Sequence, residues 1–278
     1  MANKKDKTET DLAVKNEGQT ALAGRFDYGD MAGDGWDNTG QDDFTIPFLA
    51  IVQAMSPQVQ ETEAEYIEGA KAGNLLNTAS KELFDGREGI TFVPCYTQHL
   101  FVEWKNRQLD GGGFVAIHEC DSDIVMEAKA ASKEFGKYTV PVDSGHPHDL
   151  VETFYIYGLI VNEGEIVTPC MISFNSTKIK AYKAIMTPMR QVKGRPPMFA
   201  FLLKISTVSE KNAKGTYHNF KLSFANGSAA DSLLPPDHVF VLAGKEFKDQ
   251  VAEGKAKIDH SGANMGGESY DSDEDAPF

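Results

Sequence analysis

Residues 152–161 and 165–174 are two β-branched and aromatic runs separated only by Asn162-Glu163-Gly164, and no other feature constrains the fold as strongly. Two such runs joined by a short glycine-containing link predict an antiparallel hairpin. The same period of two recurs along the chain. Residues 90–96 and 100–105 flank a Thr97-Gln98-His99 link and predict another hairpin, and 114–118 follow the turn Gly111-Gly112-Gly113. Residues 199–208 and 216–224 predict a third hairpin around a basic tip at 211–215.

Between the second and third of these pairs the period lengthens. Ile179, Tyr182, Ile185, Met186 and Met189 recur at steps of three and four, with Asn175 or Ser176 placed to cap a helix. Residues 124–134 predict a second helix, and Phe240, Leu242, Phe247 and Val251, after Pro235-Pro236, a last one. The fold class is therefore mainly β with inserted helices. A small closed antiparallel barrel suits it, because closure removes exposed strand edges and leaves one face for a ligand. The OB-fold is the small barrel most used for single-stranded nucleic acid. The expected organisation is a disordered arm at 1–43, poor in large apolar residues, an OB-like domain at 44–257, and an acidic tail at 258–278. With 41% hydrophobic and 10% aromatic residues the chain has enough apolar surface for a core, which excludes wholesale disorder.

A net charge of −14 argues against a polyanionic ligand only if the charge is spread evenly, and it is not. Lys178, Lys180, Lys183, Arg190, Lys193, Arg195, Lys204, Lys211, Lys214 and Lys221 fall in one segment with a single acid, Glu210, leaving 17 bases against 40 acids elsewhere. Local potential governs polyanion binding more than the total does. Single strands need cations along the phosphates and rings on which bases stack. Phe174, Tyr182, Phe199, Phe201, Tyr217, Phe220 and Phe224 interleave with these bases. Strand alternation puts Tyr217, Asn219, Lys221 and Ser223 on one face and Thr216, His218, Phe220, Leu222 and Phe224 on the other, so Tyr217 and Lys221 form a candidate stacking and phosphate pair. Arg190, Lys193, Arg195, Lys211 and Lys214 lie in turns, where phosphate contacts are expected. Trp104, Lys105 and Arg107 form a second candidate contact.

Other chemistries find no support. Walker, GxGxxG, GxSxG and HExxH motifs are absent, and the chain is expected not to be an enzyme. His146-Pro147-His148 lacks a partner at metal-ligand spacing, the Asp271, Asp273, Asp275 series lacks the glycine and distal glutamate of a calcium loop, and no cofactor is expected. Cys95, Cys120 and Cys170 are widely spaced and odd in number, as expected for reduced thiols. The N-terminus has no apolar signal region and no stretch approaches a membrane-spanning length, so a soluble protein of the cytoplasm is expected.

The last eleven residues carry five acids and no base and end Asp273-Glu274-Asp275-Ala276-Pro277-Phe278. Proline stiffens the approach to a terminal ring that fits a small apolar pocket rimmed by Lys or Arg. This tip resembles that of bacterial single-stranded-DNA-binding proteins, with Ala276 in place of a larger apolar residue. Together with the basic segment it makes the chain resemble phage-encoded single-stranded-DNA-binding proteins. The resemblance implies a protein that coats single-stranded DNA in phage replication, recombination or repair. It implies recruitment of replication or repair enzymes through Asp273, Glu274, Asp275, Pro277 and Phe278, in the cytoplasm of the host, with a homo-oligomer possible. Two alternatives stay open: a mediator that anneals complementary strands, and a protein-only binder that inhibits a host nucleic-acid enzyme by mimicking DNA.

Overall fold

The computed structural model describes residues 45–162, 164–212, 215–253 and 257–258, together with Gly35. All but Gly35 lie in the unit Thr39–Phe278. The expected arm at 1–43 (Gly35 apart) and the acidic tail beyond Ile258 fall outside these residues.

The chain enters through β1 (Thr45–Ile46) and β2 (Leu49–Ile51), split at Pro47, and β2 forms a small antiparallel sheet with β3 (Leu75–Asn77) and β4 (Leu83–Phe84). The main sheet has seven strands. Its axis is a ladder between β5 (Ile90–Trp104) and a later strand of equal length that spans His148–Asn162. β5 is one continuous strand. The Thr97-Gln98-His99 link predicted as a turn stays in register with Ile156, Tyr155 and Phe154, because a partner more than fifty residues away extends the ladder through it. The cost of Pro94 is absorbed by a bulge between Pro94 and Tyr96.

From the end of β5 the chain makes an excursion through α1 (Arg107–Asp110), β6 (Phe114–Glu119), α2 (Asp123–Ala131) and β7 (Tyr138–Val140) before the strand His148–Asn162, β8. β6 pairs with the far end of β5, and β7 with the start of β8. β9 (Glu165–Asn175) returns against β8, which is the hairpin expected from the sequence. A 3-10 turn, Ser176–Lys178, leads into α3 (Ile179–Gln191). Another 3-10 turn, Met198–Ala200, precedes the hairpin of β10 (Leu203–Asn212) and β11 (Gly215–Phe224). The helix α4 (Val239–Ala252) follows, and β12 (Lys257–Ile258) pairs in parallel with β1.

Pairing runs β9-β8-β5-β10-β11 at one end of the sheet, with α3 inserted between β9 and β10. The arrangement is OB-like but the barrel is not closed: among the described residues β9 and β11 do not pair. Residues 47–53 stand in the gap. Met171 N in β9 donates to Pro47 O at 2.9 Å, with Phe48 bridging Met171 in parallel. On the other side the Gln53 side chain serves both backbone groups of His218 in β11, each at 2.8 Å. Those edge groups are thus satisfied without a strand-to-strand closure.

Two large cores lie on the two faces of this sheet, and a smaller one joins Phe101 and Leu150 to Val125 and Ala128 of α2. On one, Phe92, Ile156, Ile172, Phe174, Leu203, Ile205 and Phe220 pack against Tyr182, Ile185, Met186 and Met189 of α3. On the other, Val93, Cys95, Tyr155, Tyr157, Leu159 and Met171 pack against Phe240, Phe247 and Val251 of α4. The sequence expectation of one open ligand face therefore needs correction. The outer face of the second and third barrel strands, which an OB-fold offers to its ligand, is here β8–β9; Tyr155, Tyr157, Leu159 and Met171 on it are buried in the core under α4, and Pro169 is exposed.

Candidate nucleic-acid interface

The apolar stripe of α3 fixes which of its side chains reach solvent. With Tyr182, Ile185, Met186 and Met189 buried, Lys180, Lys183, Thr187 and Arg190 are exposed at steps of three and four and share the outward face. Lys193 and Arg195 continue the exposed cations into the turn Val192–Arg195, closed by Arg195 N donating to Val192 O at 3.1 Å. The turns on either side of α3 each hold a non-glycine residue at positive φ, Ser176 at 45° and Arg195 at 48°. Such conformations cost of order 1–3 kcal/mol each and persist where the surroundings over-determine them.

The hairpin candidates lie elsewhere. In the β10–β11 register Lys204, Ser206, Val208 and Glu210 face the same side as Ser223, Lys221, Asn219 and Tyr217, as strand alternation requires. Lys204 and Lys221 are exposed there, on the side of the sheet opposite α3. The ten bases thus do not form one surface. Lys178 sits where the two parts approach: its Nζ lies 5.7 Å from the Phe220 ring, and Asn219 Nδ2 donates to Thr177 O at 3.4 Å. Lys211 is exposed at the hairpin tip, and Lys214 lies outside the described residues.

The rings fare differently from the cations. Phe174, Tyr182, Phe201 and Phe220 are buried, and Phe199 and Phe224 pack against the cores, so interleaving in sequence reflects core packing. Tyr217 is half-buried and its hydroxyl donates to Glu210 Oε2 at 2.7 Å, while Asn219 Nδ2 donates to the same oxygen at 3.1 Å. The single acid of the basic segment therefore stands beside the ring proposed for stacking, where it opposes an approaching phosphate. Trp104 is 5% exposed with Phe114 edge-on at 5.9 Å, so it offers no open face to a base; Lys105 and Arg107 next to it are exposed.

Two features were not legible in the sequence. The first is a cleft of about 460 Å³ at the C-terminal end of α3, lined by Thr97, Met186, Met189, Arg190, Arg195, Pro196, Met198 and Phe201. Met186, Met189, Met198 and Phe201 supply apolar lining, and Arg190 and Arg195 supply two cations. The second is a buried polar cluster at the far end of the main sheet. Glu103 accepts from His118 Nε2 at 2.7 Å and from His148 Nδ1 at 2.6 Å, and both imidazoles are largely buried. His146 Nδ1 lies 3.0 Å from Asp110 Oδ1, so the two histidines of the 146–148 loop turn to different carboxylates. Among the described residues no group of His, Cys, Asp and Glu is arranged to hold a metal ion, and no helix is long and apolar enough to cross a membrane.

The proposed partner-binding residues Asp273, Glu274, Asp275, Pro277 and Phe278 lie outside the described residues. No curated protein and no solved structure matches the chain. A family model described as Pam3 phage gp34-like protein matches residues 15–257, which takes in the seven-stranded sheet and the helices α1 to α4 of the described residues. The chain belongs to this family of phage proteins.

Proposed function

We propose that the chain binds single-stranded DNA across the outer face of α3 and the turn that follows it, in phage DNA replication, recombination or repair. The observation that supports this reading is a cationic stripe without acids. No Asp or Glu occurs between Glu165 and Glu210, and within that interval Lys180, Lys183, Arg190, Lys193 and Arg195 are all exposed. From Lys180 to Arg190 the stripe runs about 15 Å along the helix axis, room for a short run of phosphates. The rest of the molecule is acidic. A thin strand can follow one helix, whereas the second backbone of a duplex meets repulsive surface. The buried state of the interleaved rings leaves phosphate contacts as the main source of affinity, with weak sequence preference. Recruitment of replication or repair proteins through Asp273, Glu274, Asp275, Pro277 and Phe278 belongs to the same reading.

The test is a fluorescence titration of the full chain with labelled single-stranded and double-stranded oligonucleotides, repeated on Lys180→Glu/Lys183→Glu/Arg190→Glu. Single strands are expected to bind more tightly than duplex, and the triple variant to lose binding while keeping its circular dichroism spectrum. A wild-type chain that binds no oligonucleotide at about 50 mM salt, where phosphate contacts are strong, overturns the proposal and favours the protein-only alternative. Unchanged affinity in the triple variant places any binding on another surface.

A further inference from the structure

The cleft at the end of α3 lies where the cationic stripe of that helix ends, and Arg190 belongs to both. We propose that this cleft takes one nucleobase of the bound single strand and selects guanine, with Arg190 and Arg195 donating to its O6 and N7. The inference rests on the reading of α3 as the single-strand surface. It adds a preference at one position of a strand that the lysines hold by its phosphates. A volume of about 460 Å³ falls in the range of small-ligand sites, and the composition of the lining is that of such a site, apolar with a few polar groups. Met186, Met189, Met198 and Phe201 supply the apolar part, and thioethers adapt to an aromatic ring and attract it.

The polar groups decide which base fits. Among the described residues the side chains of Arg190 and Arg195 have no ion pair and no hydrogen bond, and both residues are exposed, so their donors are free. The one hydroxyl of the lining, Thr97 Oγ1, already donates to Tyr155 O at 2.8 Å and lies 3.0 Å from Tyr182 Oη. The other lining residues fall between Glu165 and Glu210, where no acid occurs. The lining side chains thus offer strong donors and no strong free acceptor. Guanine presents two adjacent acceptors, O6 and N7, on one edge, and a bidentate arginine is their usual partner. Adenine sets its N6 amino group beside N7, a donor against donors, and an unpaired donor in an apolar site is costly. Lys193, exposed and outside the lining, is left for a phosphate.

The test measures the affinity of the full-length wild-type chain for short single strands at about 50 mM salt, where phosphate contacts are strong. An all-thymine strand is compared with strands that carry one other base at the centre. A single guanine is expected to tighten binding about five- to tenfold, the low end of what one bidentate arginine pair is worth. Adenine and cytosine at that position are expected to give less, and 7-deazaguanine, which has C–H in place of N7, to lose most of the gain. Hypoxanthine lacks only the N2 amino group and is expected to keep it. Arg195→Lys keeps the charge but not the planar fork, so the ratio of guanine-strand to all-thymine affinity should fall toward one. Lys180→Ala should lower both affinities and leave the ratio standing. All-thymine binding with no gain from guanine overturns this inference alone, as does an equal gain from adenine, cytosine or 7-deazaguanine. An unchanged ratio in folded Arg195→Lys overturns the site, and the base series needs only the wild-type chain should that variant fold poorly. A chain that binds none of the strands overturns the inference together with the reading it rests on.

Discussion

At the scale of single residues, the buried Glu103 and the three cysteines respond most directly to their surroundings. Glu103 receives an imidazole N–H on each carboxylate oxygen, from residues 15 and 45 positions away. Glu103→Ala removes both acceptors and strands two largely buried imidazole donors, so we predict a loss of about 3 kcal/mol of stability in urea unfolding. Glu103→Gln keeps one acceptor oxygen and is expected to lose less. Burial pushes the Cys95 thiol up to about 12 and raises Cys170 as well, assisted there by Cys95. Burial also raises Cys120, against an opposing pull from Lys129, but Cys120 is only partly covered. A raised thiol is less ionised at any given pH, and the thiolate is the nucleophile. At pH 8, iodoacetamide followed by mass spectrometry should therefore modify Cys120 alone in the native protein, and all three cysteines once urea unfolds it.

At the scale of elements, the sheet depends on two glycines that let layers approach. A Cβ on Gly158 in β8 would stand 2.3 Å from both Phe92 Cζ and Val93 O, and the second of these is backbone of the paired strand. A Cβ on Gly244 in α4 would meet Phe199 Cβ at 2.7 Å and Cys95 Sγ at 3.3 Å. Overpacking costs typically about 1–3 kcal/mol and more where the neighbour cannot yield. We predict that Gly158→Ala costs at least about 3 kcal/mol by that reasoning and Gly244→Ala less, because α4 can shift as a unit on the sheet. Thermal or urea unfolding of the two variants side by side checks the order. The helices α3 and α4 cover opposite faces of one sheet: one layer of packing positions α3, and the other, under α4, buries Tyr155, Tyr157, Leu159 and Met171 of β8 and β9.

At the scale of the whole molecule, a −14 chain carries a run without acids, residues 166–209, in which Lys180, Lys183, Arg190, Lys193 and Arg195 are exposed. If the five exposed cations of α3 and its turn each neutralise one phosphate, the slope of log K against log salt is about −3 to −4 on the single-strand coefficient. Removing Lys193 and Arg195 together should flatten that slope by at most about 1.4. Tyr217→Ala is expected to leave the slope unchanged and affinity nearly so, because the ring is tied to Glu210. Titrations at four or five salt concentrations measure all three. A loss of about 1–3 kcal/mol in Tyr217→Ala, the size of one stacked base, would place the strand on the hairpin face instead of on α3.

What the sequence by itself determined is local: the β8–β9 and β10–β11 hairpins, the apolar stripe of α3 and hence its outward lysines, and the basic segment set in an acidic chain. Periodicity and turn chemistry act between neighbours, so they are written in neighbouring residues. What only the tertiary structure decided depends on partners far apart in the chain. β8 carries β5 straight through Thr97-Gln98-His99, which alone reads as a turn. Residues 47–53 fill the gap between β9 and β11. Two layers of packing sort the rings of the basic segment into the core and split its bases between two faces of the sheet. The cleft lined by Arg190 and Arg195 and the Glu103 cluster arise the same way, since burial and long-range pairing are properties of the folded chain and leave no short-range spacing to read.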